Sequence, residues 1–98
     1  MMTHSWILLA IAFASKDSPA DLNRISEVAD GINISIPSDL ELHDSLSWLI
    51  KHNMVIQLEN SYKLSKIGQN LVTESQTKTK MIWKILETLE TLLQEYRD

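Results

Sequence analysis

The side chains that could carry catalysis are few and scattered. Three histidines, His4, His43 and His52, stand far apart, and none of the spacings that place two imidazoles on one metal ion occurs. There is no cysteine, so thiolate nucleophiles, thiolate metal sites and disulfides are excluded. Two glycines are too few for a loop that cradles phosphate. Glu41 and Asp44 lie about one helical turn apart and could be read as a carboxylate pair. Such pairs are far more often a solvated helix face than an acid–base couple. The expectation is a protein that is not an enzyme and holds neither metal nor cofactor.

A second kind of chemistry is the recognition of phosphate or of another protein, and here the distribution of charge is informative. The 98 residues carry a net charge of −4, which argues against coating nucleic acid by electrostatics alone. Residues 1–53 hold Lys16, Arg24 and Lys51 against seven carboxylates, a balance of −4. Residues 54–72 hold Lys63 and Lys66 against Glu59, a balance of +1. Residues 73–98 hold four basic and five acidic side chains, a balance of −1. Phosphate, where it is bound, is expected at the locally basic stretch.

The elements that must position these groups can be read from periodicity and caps. Residues 6–14, WILLAIAFA, form an apolar run too short to span a bilayer, which takes about 20 residues. Ala12-Phe13-Ala14 has the form of a leader cleavage site, but no Lys or Arg precedes the run. A first helix buried on most sides is expected instead. Ser18-Pro19 offers an N-cap and first position for a second helix, with Leu22, Ile25, Val28 and Ala29 at helical spacing. Its end falls at Gly31 or as late as Ile34.

The most informative stretch is residues 36–71. Leu42, Leu46, Leu49 and Ile50 recur at helical spacing, Ser38-x-x-Glu41 is a capping box, and Asn53 suits a left-handed C-cap. Val55-Ile56-Gln57-Leu58 reads as a strand, Glu59-Asn60-Ser61 as a turn, and Tyr62-Lys63-Leu64 as the returning strand. Ser65 then caps a further helix carrying Ile67 and Leu71.

The segment Tyr62-Lys63-Leu64-Ser65-Lys66-Ile67-Gly68, preceded by Leu49-Ile50-Lys51-His52-Asn53-Met54-Val55, resembles the exit from the wing in winged helix-turn-helix transcription regulators of bacteria. The resemblance covers roughly residues 5 to 73. It implies a mainly α fold: a winged helix, with a three-helix core and a two-stranded β-wing, followed by a long C-terminal helix. The connection around residues 33–36 is longer than the tight turn of a strict helix-turn-helix.

Residues 74–98 turn polar and then helical, with Ile82, Ile85, Leu86, Leu89, Leu92, Leu93 and Tyr96 in one stripe. That stripe cannot stand in water and must pack on something. With residues 1–73 closed as a winged-helix unit, residues 74–98 are expected to be a dimerisation helix. It would pair with its own copy as a short coiled coil, as in the similar small regulators of the PadR type. The alternative is that it folds back on its own domain.

The resemblance implies a small dimeric DNA-binding protein, a cytoplasmic transcription regulator, with Ser38, Ser47, Lys51, Asn60, Ser61, Lys63 and Lys66 as candidate DNA contacts. With Leu42, Leu46 and Leu49 inward, the third helix shows Leu40, Glu41, Asp44, Ser47, Trp48 and Lys51 outward. A reader of the major groove wants Arg, Lys, Asn or Gln there. Carboxylates and an outward Trp48 suit a protein contact instead, while packing of Trp48 against the wing or the C-terminal helix is an equal alternative. The alternative function is therefore an interaction module that binds no DNA and docks a partner through Leu40, Asp44 and Trp48.

Overall fold

A computed structural model describes residues 3–77 and 79–96. Its organising element is α1 (Thr3–Ala14), in which every residue from Ser5 to Ile11 is buried. Seven consecutive buried positions take in all sides of a helix, so α1 has no solvent stripe along these turns and must be surrounded. It packs against α2 (Leu22–Asn33), α3 (Asp39–Lys51), α4 (Lys66–Gln76), α5 (Ile82–Leu93) and the strand β3 (Ser61–Leu64). The Trp6 indole N–H donates to the Ala29 carbonyl at 2.9 Å, which fixes α1 on α2 and satisfies the one polar atom of a buried ring. The apolar run of the sequence is thus the central post of the fold.

The strands form a three-stranded antiparallel sheet in the order β1 (Ala20–Asp21), β3, β2 (Val55–Leu58). Ala20 stands opposite Tyr62 and Asp21 opposite Ser61, while Val55 pairs with Leu64 and Leu58 with Ser61. The hairpin therefore closes through a two-residue turn, Glu59-Asn60, with Glu59 at a positive φ of 57°. Val55, Tyr62 and Leu64 face the core, and Lys63 alternates outward. The molecule is mainly helical around this small sheet.

The second helix starts later than the Ser18-Pro19 signal predicts. Ala20-Asp21 is drawn into the sheet as its edge strand, and Asp21 becomes the N-cap, its carboxylate accepting from the Arg24 N–H at 2.8 Å. At its far end α2 runs through Gly31 to Asn33, and Ile34 takes the left-handed C-cap position at φ 50°. That conformation is costly for a β-branched residue.

The other caps follow the sequence closely. Both halves of the Ser38–Glu41 capping box are made, at 3.1 and 2.9 Å. At the end of α3, Asn53 has φ 62° and donates to the Ile50 carbonyl, while Met54 donates to that of Leu49. This is the paired closure of a left-handed cap, with buried Leu49 and Met54 bracketing it. Ser65 caps α4 by accepting from the Gly68 N–H at 3.1 Å.

Helix α5 returns to the same core. Ile85, Leu86, Leu89 and Leu93 are buried against α1 and α4, and Ile82, Leu92 and Tyr96 pack on that cluster from its margin. The fold-back alternative describes this arrangement. These four positions, expected at a dimer interface, are covered within the single chain. The physical reason is that α1 is buried on all sides, so α2, α3, α4 and the sheet leave one of its faces for α5 to cover.

Candidate functional site

The face of α3 opposite Leu42, Ser45, Leu46 and Leu49 is open to solvent. Along it run Leu40, His43, Asp44, Ser47 and Lys51, all exposed. Of the predicted contacts, Leu40, Asp44, Ser47 and Lys51 are therefore where the sequence put them, and His43 belongs to the same row. The helix starts with the carboxylates of Asp39 and Glu41 in its first turn and ends with Lys51, which complements its dipole at both ends.

Two predicted members lie elsewhere. Ser38 is committed to the capping box: its oxygen accepts from Glu41 N–H, and its own N–H donates to the Glu41 carboxylate. That places a negative charge where an incoming phosphate would sit, so Ser38 is not a phosphate grip. Trp48, expected outward, is half-buried. It stacks on His4 with ring centroids 4.7 Å apart and 18° between planes, and meets His52, tilted by 44°, at 4.3 Å. Tyr96 continues the row, edge-on to His52 at 6.3 Å. Trp48 thus ties α3 to the start of α1 and to the chain's last turn, and is engaged inside the molecule instead of serving as a free anchor.

His4 is the perturbed group of this cluster. Its Nδ1 lies 2.8 Å from the Oγ of buried Ser45. Burial pushes its pKa below the usual histidine value, against the opposing pull of the Asp44 and Glu90 carboxylates. An imidazole stacked on indole and hydrogen-bonded to a buried serine joins α1 to α3.

The remaining phosphate candidates divide between separate regions. Asn60 and Ser61 sit at the hairpin turn, where Asn60 and Tyr62 line a shallow hollow with Asp21, Leu22 and Asn23. Lys66 is exposed in the first turn of α4. Lys63 lies with Lys16 in a cleft between the end of α1, β3 and α4. No local pattern announces that cleft, because Lys16 and Lys63 are distant in the chain and come to line it only through the packing of α1 on β3.

The exposed apolar residues at the α2–α3 corner were also not anticipated as a group. Ile34 is 91% exposed, Ile36 70% and Leu40 80%. Among the described residues, no group of histidine, cysteine or carboxylate side chains could hold a metal ion. No described helix is long and apolar enough to cross a membrane. Comparison with known protein families, with curated proteins and with solved structures returns no match.

Proposed function

We propose that this chain is a winged-helix DNA-binding module that acts as a small transcription regulator. The observation that carries the reading is the uncovered outer row of α3 with the β2–β3 hairpin following it, in the element order α1, β1, α2, α3, β2, β3. This order, with β3 central in the sheet, is the arrangement in which a winged helix offers one helix to a DNA groove and a hairpin to the backbone. Ser47 and Lys51 are the side chains of α3 that would meet DNA, and Asn60 at the hairpin tip would meet phosphate. Asp39, Glu41 and Asp44 oppose the approach, so binding is weak and needs low salt.

Anisotropy of labelled short duplexes, at low and at near-physiological salt, tests this. Binding at low salt is expected, and Lys51→Ala should weaken it on all sequences and lower the salt slope by about 1. No binding at low salt ends the DNA reading.

One observation favours a second reading. Ile34, Ile36 and Leu40 form an exposed apolar corner beside Asp39, Glu41 and Asp44. Apolar area with an acidic margin suits a basic, amphipathic protein segment better than it suits DNA. Leu40→Asp separates the two readings: it should abolish such a protein contact while barely altering the fold.

A further inference from the structure

The cleft holding Lys16 and Lys63 has a volume of about 480 Å³ and is walled by the end of α1, β3 and α4. It adjoins a second hollow of about 330 Å³ toward the start of α5, lined in part by Lys80 and Ile82. Phe13 and Gln76 line both, so the two form one bent groove. Among the described residues that line it, three are lysines and none is a carboxylate. That is unexpected in a chain with 13 acidic and 9 basic side chains. The lining is mixed: Phe13, a large hydrophobic residue left 38% exposed, faces the groove beside Ser15, Gln69 and Thr73, with buried Leu64 and Val72 behind it. The second hollow, at Ile82 and Ile85, is the more apolar of the two.

We propose that this groove binds a small amphipathic carboxylate, with the anionic end at Lys16 and Lys63 and the apolar body on Phe13 toward Ile82. The size falls within the range of small-ligand sites, and an apolar end at Phe13, Ile82 and Ile85 with convergent charges at the other end is their usual chemistry. A nucleic-acid backbone would use the lysines but has no need of the concave apolar end. The proposal does not depend on what α3 contacts.

Octanoate is the probe, titrated by calorimetry against 1-octanol and acetate, with amide shifts recorded in parallel. Octanoate should saturate at one per chain and shift the amides of residues 12–16 and 72–76. Octanol and acetate should each bind at least about tenfold more weakly, since each lacks one half of the recognition. The Lys16→Gln, Lys63→Gln double variant, both sites being exposed, should keep its far-ultraviolet spectrum. It should lose about tenfold for octanoate and nothing for octanol. Equal binding of octanol and octanoate, shifts confined to other surfaces, or an unaffected double variant would each overturn the proposal. So would displacement of octanoate by a short DNA duplex, which would make the lysines a backbone contact.

Discussion

The carbonyl oxygen of Met54 lies where a side chain on Gly68 would have to begin: a Cβ there would stand 2.2 Å from it. The same carbonyl accepts from the Ser65 N–H at 3.0 Å, and the Ser65 hydroxyl donates to the Asn53 carbonyl next door. The first turn of α4 is thereby pinned against the left-handed turn that closes α3. This explains why the segment from Tyr62 to Gly68 has its composition. Tyr62 and Leu64 fill the core, Ser65 caps and clamps, and Gly68 permits the backbone approach.

Gly68→Ala should accordingly destabilise the protein by about 3 kcal/mol, because the clash is with backbone that has no freedom to rotate away. Gly31→Ala is the matching control. Gly31 lies in α2 with nothing within 4 Å of an added Cβ. There the change should stabilise by up to about 1 kcal/mol through helix propensity. Denaturant midpoints of the two variants check both signs at once. Equal effects would mean that α4 is not seated on Met54.

Leu89 is fully buried in α5, among α1 and α4. Leu89→Ala should cost about 2–5 kcal/mol as a core cavity. If the stripe were an intermolecular seam, the melting temperature would rise with protein concentration. Because it is intramolecular, the melting temperature of the parent chain should not depend on concentration through these contacts, and sedimentation mass should be the same for parent and variant. A mass halved by the substitution would restore the coiled-coil reading.

How far the sequence foretold this depends on how local each signal is. The Ser38–Glu41 box, the left-handed Asn53, the hairpin and the Ser65 cap were all legible, because each is settled by residues within one turn of each other. The edge strand Ala20–Asp21 was not legible, since a strand of two residues has no periodicity and exists only because β3 is beside it. The amphipathic stripe of α5 was visible, but its destination was not. A stripe of apolar residues specifies burial and says nothing of whose surface does the burying. Trp48 was left between an outward and a packed reading for a related reason. It lies at the margin between the buried and exposed faces of α3, and only the start of α1, with His4, decides that it turns inward. The groove at Lys16 and Lys63 is wholly tertiary and had no signature in the chain.

Trp48→Ala should therefore lower stability by roughly 2–3 kcal/mol, less than a fully buried tryptophan, since it removes ring contacts with both His4 and His52. Trp48→Phe should recover most of the loss, because an aromatic face is kept for both imidazoles. Thermal melts of the pair decide it. A Trp48→Ala protein as stable as the parent would return Trp48 to the outward role expected from the sequence.

The last prediction concerns pH. His4 titrates below the usual value of 6.5, chiefly because its ring is desolvated, with the nearby His52 pushing the same way and Asp44 and Glu90 pulling back. The unfolded chain therefore takes up a proton at this site more readily than the folded one. The sign follows: stability is full above about pH 6.5 and falls as pH drops from there toward the lowered pKa, flattening below it. His4→Gln removes the titration while leaving an amide able to reach Ser45. The variant's denaturant midpoint should then decline less than the parent's between about pH 7 and pH 5. Parallel curves for the two proteins would mean that Asp44 and Glu90 fully offset the burial of His4.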